Sequence, residues 1–165
     1  MSRKIPGFKG DAAARRTRVG IVAARFNAEI VDELLRGCLR RLEALAVAAK
    51  NVHVERVPGA LEIPLIAQAM CRTGRFDAVI CLGAVIRGET PHFDYVAGEC
   101  ARGIAEVARA ESFPVIFGVL TTNNEAQARD RIGGKHGHAG ERAAEAAVET
   151  IGVLRKLRKK PAQRS

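Results

Sequence analysis

The sequence predicts an α/β fold: a single-domain three-layer sandwich in which a four-stranded parallel sheet is flanked by helices, flavodoxin-like. Three observations predict it. Short, fully apolar runs recur at Val19–Ala24, Ala78–Val85 and Pro114–Leu120, as expected of parallel strands covered on both faces. Stretches of helical periodicity alternate with them, which is the signature of βαβ units. At 165 residues the chain suits one domain with a real core.

The elements follow in order. Residues 1–17 hold Pro6, Gly7, Gly10 and basic side chains and are expected to form a flexible basic arm. The regular domain is expected over 18–158 and a basic tail over 159–165. Val19–Ala24 is the first strand. Asn27 is placed to cap a helix whose apolar stripe is Ile30, Leu34, Leu35, Leu39 and Leu42. Val52-His53-Val54-Glu55-Arg56-Val57 alternates as a strand does, Pro58-Gly59 ends it, and Leu61 to Arg72 reads as a second helix. After the strand Ala78–Val85, a Gly/Pro loop leads to a helix from about Phe93 to Ala110, with Pro91 in its first turn, where a missing N–H costs nothing. Beyond Pro114–Leu120, Thr122 and Asn123 are candidate caps for a short helix over about Asn124 to Arg131. The Gly133–His138 segment breaks the chain, and a last helix spans about Glu141 to Leu157.

The net charge of +9 sits at the ends: residues 1–18 carry +5 and residues 155–165 carry +6, which leaves −2 for the middle. That distribution fits solvated tails that could touch a polyanion, and argues against a nucleic-acid recognition face. Aromatic residues are only 4% of the chain, too few for a stacking platform along a single strand. Cys38, Cys71, Cys81 and Cys100 are scattered through apolar stretches, so buried free thiols and a reducing, cytoplasmic setting are expected. No apolar run approaches a membrane span, and no histidine–cysteine spacing suggests zinc. P-loop, dinucleotide and Ser-elbow motifs are missing from the sequence.

In parallel sheets ligands bind beyond the carboxyl ends of the strands, so the chemistry is expected there. Phe26 closes the first strand and is placed either to stack on a planar ring or to staple the helix start. Gly59 allows close backbone approach, and Glu62 in the following turn suits either the helix dipole or substrate hydroxyls. The third strand leads into Gly88-Glu89-Thr90-Pro91-His92. Free N–H groups, a Thr hydroxyl and a helix start make a site suited to phosphate, with His92 beside it as a group able to move a proton near neutral pH. Phe117 lies within the fourth strand, and Arg129, Arg131 and Lys135 supply cations nearby.

Arg25-Phe26-Asn27, Val57-Pro58-Gly59-Ala60-Leu61-Glu62-Ile63-Pro64, Leu82 to Val96, Phe117-Gly118-Val119-Leu120-Thr121-Thr122 and Gly134-Lys135-His136-Gly137 together resemble the lumazine synthase family, in order, from about Arg18 to Arg155. The resemblance implies a 6,7-dimethyl-8-ribityllumazine synthase. Such an enzyme condenses 5-amino-6-(D-ribitylamino)uracil with 3,4-dihydroxy-2-butanone 4-phosphate, releasing phosphate and water, in the penultimate step of riboflavin biosynthesis. No cofactor or metal is implied. By position, Phe26 would stack on the pyrimidine, Ala60, Leu61 and Glu62 would hold the ribityl chain, and Ala84, Val85 and Ile86 would bond the ring through their backbone. Glu89 and Thr90 would bind phosphate with Arg131, Lys135 is a further candidate cation, His92 would donate a proton, and Phe117 would reach a neighbouring subunit's substrate. Pentamers are implied, in some members closing into a shell of about 60 chains, and riboflavin synthase is a candidate partner. The Gly-Gly-Lys-His-Gly kink looks like that of shell-forming members. The sequence departs from the family after Gly137, where His138-Ala139-Gly140 replaces Asn-Lys-Gly and the acid expected at Arg142 is displaced to Glu141.

Overall fold

A computed structural model describes residues 13–159. The four-stranded sheet has the order β2-β1-β3-β4 and is parallel throughout. Its strands are β1 (Val19–Ala24), β2 (Val52–Val57), β3 (Ala78–Ile86) and β4 (Val115–Thr122). The helices are α1 (Ala28–Ala44), α2 (Ile63–Arg72), α3 (His92–Glu111), α4 (Glu125–Arg129) and α5 (Ala139–Arg158).

The period-2 geometry of a strand makes the three layers. On β1, Ile21 and Ala23 point into the core shared with α1 and α5, while Val22 and Ala24 point into the one shared with α2 and α3. On β3, Ile80 and Leu82 face the first core, and Val79 and Cys81 the second. Ile21, Leu34, Leu42, Ile63, Ile80 and Leu82 are fully buried, each contributing about 1.5–3 kcal/mol relative to exposure. Strand β2 alternates partly buried and exposed residues because it lies at the sheet edge, as β4 does.

Several local expectations need correction. Asn27 does not cap α1 with its side chain. It adopts the left-handed conformation (φ 56°, ψ 48°), and its Nδ2–H donates across the sheet to the Ala84 carbonyl at 2.8 Å. Leu39 is outside the stripe of α1 and is exposed; Val31 and Cys38 complete the buried face. Leu61 belongs to a 3-10 turn, Ala60–Glu62, and α2 begins only at Ile63. Pro91 precedes α3 and is not inside its first turn. The cap of α4 is Asn124, whose Oδ1 accepts from the Gln127 N–H at 2.9 Å, while Thr122 turns its hydroxyl to the Asn124 carbonyl. Strand β4 runs two residues past Leu120.

The Gly133–His138 segment is a hairpin. β5 (Ile132–Gly134) and β6 (Gly137–His138) pair antiparallel around Lys135-His136, with Gly133 (φ 104°) and Gly137 (φ 75°) in the left-handed region that a side chain resists. His138 then lies over α1, where a Cβ on Gly37 would fall 2.0 Å from its ring. Behind it, Gly140 brings α5 against α1, where a Cβ would fall 2.1 Å from the Leu34 carbonyl oxygen.

Of the expected N-terminal arm, residues 1–12 lie outside the described residues. Residues 13–17 include a turn, Ala14–Arg16, fastened to α5 where Arg155 donates to the Ala13 carbonyl and Thr17 Oγ1. Residues 160–165 of the expected tail lie outside the described residues as well. Among the described residues, no helix is long and apolar enough to cross a membrane.

Candidate active site

Connections leave the sheet toward β2 on one side and toward β4 on the other, so the strand order reverses between β1 and β3. Ligand crevices in open α/β sheets form at such a point. A cavity of about 480 Å³ opens there, within the size range of small-molecule sites. A larger groove, about 660 Å³, lies between α5 and the Ala13–Thr17 turn and gathers none of the strand-end residues.

Three connections build the cavity. From the β1 end comes Phe26. The loop is zipped to the end of β2 by Arg25 N–H to the Val57 carbonyl (2.8 Å) and Phe26 N–H to the Pro58 carbonyl (3.1 Å). Phe26 is 72% exposed. A staple would bury it against Val31, so the packing alternative for this residue fails and its ring is free at the rim. From the β2 end come Pro58, Gly59, Ala60, Leu61 and Glu62. The Glu62 carboxylate turns back and accepts from the Gly59 N–H at 2.9 Å, which holds the turn while the rest of the group faces outward.

From the β3 end come Ala84, Val85 and Ile86, then Gly88, Thr90, His92 and Phe93. His92 is the first residue of α3 and is exposed. Its backbone N–H reaches the Thr90 hydroxyl only at a long 3.4 Å. The N–H groups of Gly88, Glu89 and Thr90 have no acceptor among the described residues. These three open donors immediately precede a 20-residue helix, whose N-terminal end carries positive partial charge.

The remaining expected residues stand apart. Glu89 is exposed beside the cavity without lining it. Phe117 pairs with Cys81, four positions before Val85 on β3, roughly 13 Å back along the strand. It is 44% exposed on the outer edge. Arg131 donates to the Gln127 carbonyl at 3.3 Å, and its own carbonyl accepts from Ala139. Lys135 is exposed at the β5–β6 tip. None of these last three lines the cavity. Ala24, Pro58, Phe93 and Val96 also line it and carried no role in the sequence reading, although Pro58 adjoins Gly59 and Phe93 adjoins His92 in the same strand-end motifs.

Among the described residues, no group of three or more His, Cys, Asp or Glu side chains converges as a metal site would. Three of the cysteines are buried as expected and Cys71 only half so. Burial pushes the Cys38 thiol up to about 12, those of Cys71 and Cys100 to about 11, and that of Cys81 well above its ordinary value. These are packing groups, not nucleophiles.

A family profile described as 6,7-dimethyl-8-ribityllumazine synthase matches residues 16–155. The chain belongs to the lumazine synthase family. A relative named 6,7-dimethyl-8-ribityllumazine synthase, from Protochlamydia amoebophila, is 48% identical over 150 residues, covering 91% of this chain and 87% of that protein. The lumazine synthase match spans β1 through most of α5, so all three connections that build the cavity lie within it.

Proposed function

We propose that the chain makes 6,7-dimethyl-8-ribityllumazine from 5-amino-6-(D-ribitylamino)uracil and 3,4-dihydroxy-2-butanone 4-phosphate in the cavity between the β1 and β3 ends. The observation that carries the reading is the convergence there of Phe26, Ala60–Glu62, Ala84–Ile86, Thr90 and His92, from three separate parts of the chain.

The 5-amino nitrogen adds to the ketone, water leaves, and an imine results. A proton is then lost next to the imine as the C–O bond to phosphate breaks. The enol left by that elimination takes up a proton at its terminal carbon and becomes a ketone, and the ribitylamino nitrogen closes the ring on this new carbonyl, with loss of a second water. The exposed Phe26 ring covers one face of the pyrimidine, and backbone groups of Ala84, Val85 and Ile86 hydrogen-bond its edge. Ala60, Leu61 and Glu62 hold the ribityl chain, for which the carboxylate is a hydroxyl acceptor. Glu89 and Thr90 present open N–H groups to the phosphate, the leaving group of the second stage. His92 moves protons between the reacting atoms. Holding two substrates in one cavity supplies the remainder through proximity.

Phe117, Arg131 and Lys135 do not reach their own chain's cavity, which is consistent with their serving a neighbour's in a pentamer. Leu61, Leu65 and Tyr95 are 50%, 69% and 71% exposed and supply apolar area for that contact. A closed shell of pentamers, a cytoplasmic location and delivery of product to riboflavin synthase complete the reading.

His92→Ala tests it. Lumazine formation should fall by about 10-fold to 10⁴-fold, the range for a positioned acid–base group. An unchanged rate removes His92 from the reaction.

A further inference from the structure

Arg87 lies just after β3 and before the open N–H groups of Gly88, Glu89 and Thr90. Its Nε–H donates to Asn123 Oδ1 at 3.1 Å, and an Nη2–H donates to Asp94 Oδ1 at 3.2 Å. Its guanidinium carbon stands 4.2 Å from the centre of the Phe93 ring, within cation–π range. Its backbone N–H donates to the Thr122 carbonyl at 2.9 Å.

One side chain therefore touches the two residues that follow His92 and the loop after β4. Residues 88–92 are the span it closes. They hold every open N–H of the anion site and the proposed proton donor, and both ends of the span meet at one guanidinium. Only a planar fork can hold two acceptors in different directions and lie on a ring at once.

Arg87 and Asp94 are well exposed, with 42% and 61% of their side-chain surface in solvent, and exposed ion pairs add little to folding stability. The contacts are thus poorly explained as a device for holding the whole protein together. Cavity-lining residues also exclude Arg87 itself, so its charge is spent on Asp94 and not aimed into the site.

We infer that Arg87 is a positioning residue. It fixes the Gly88–Thr90 anion loop and the start of α3, so that the phosphate-bearing substrate and His92 meet in register. This rests on the proposed reaction.

The test compares Arg87→Ala and Arg87→Lys with the unaltered enzyme, measuring KM for each substrate, kcat and thermal melting. Turnover by the unaltered protein is read first and judges the reaction itself, so its absence overturns that reading and with it this one. Given turnover, Arg87→Ala should raise KM for the butanone phosphate or lower kcat by about 10-fold, with melting unchanged. A misplaced reacting group costs up to about 100-fold. KM for the pyrimidine should stay within about twofold, because Phe26, Ala60–Glu62 and Ala84–Ile86 lie outside the span. Arg87→Lys should resemble Arg87→Ala, since an ammonium cannot reproduce the fork. Full activity in Arg87→Lys would show that charge alone matters and overturn positioning. Unchanged kinetics in Arg87→Ala, or equal damage to both KM values together with a lowered melting temperature, would overturn it too.

Discussion

Phe26→Ala separates binding from folding. The ring is 72% exposed, so its removal opens no internal cavity, and the several kcal/mol usual for a core Phe→Ala change do not apply. The lost interaction is with ligand. Stacking of a planar base on an aromatic side chain is worth about 1–3 kcal/mol by alanine substitution. At about 1.4 kcal/mol per tenfold, KM for the pyrimidine substrate should rise about 5-fold to 150-fold. KM for the butanone phosphate should hold, because its anion loop is carried by another connection. Phe26→Trp, which keeps a stacking face, should retain most of the affinity. The assay is initial-rate kinetics with each substrate varied in turn, alongside a thermal melt. Unaltered KM for the pyrimidine in Phe26→Ala would refute the stacking role. A melt lowered by several degrees would show that the ring serves the fold.

Gly140→Ala should destabilise by at least about 1–3 kcal/mol, read as a lower urea midpoint, because its Cβ would meet the Leu34 backbone 2.1 Å away, which cannot swing aside. The native protein should resist iodoacetamide at pH 8, with Cys71 labelled first and all four thiols reacting in denaturant; a thiol near 11 is about 0.1% thiolate there. Glu33 is held below its ordinary 4.5 chiefly by its hydrogen bond from Arg36, with His138 and Arg40 adding to it. A depressed carboxylate stabilises above its unfolded value and loses that contribution as pH falls through the folded one. Melts from pH 6 to 3 should therefore show a shallower acid decline in Glu33→Gln than in the unaltered protein.

The layers were legible because their cause is local. Ile21 and Ala23 against Val22 and Ala24 alternate by strand geometry alone, and the Ile30–Leu34–Leu42 spacing needs only a helix and one face to bury. Much of the site was legible for a related reason: strand ends are readable, and the strand-end rule points to Phe26, Glu62, Thr90 and His92. What escaped depends on contacts between distant segments. Asn27 has the composition of a cap, yet an acceptor on β3, 57 residues later, takes its amide. Leu39 fits the α1 stripe by spacing but lies at its margin, where it is left 37% exposed. The β5–β6 strands have three and two residues, too few to show a period. Their signal was the pair of glycines flanking Lys135-His136, a loop length suited to a hairpin. The clasp of Arg87 on Asn123 needs the β3–β4 register, which no local pattern encodes.

Condensation of the two substrates in one cavity is the step on which every proposed residue role depends. Its most direct measurement follows lumazine absorbance and phosphate release together, in purified protein with chelator present. One phosphate should appear per lumazine, at a rate well above the uncatalysed mixture and falling in His92→Ala. Lumazine formed no faster than in the protein-free mixture, or turnover abolished by the chelator, would contradict it.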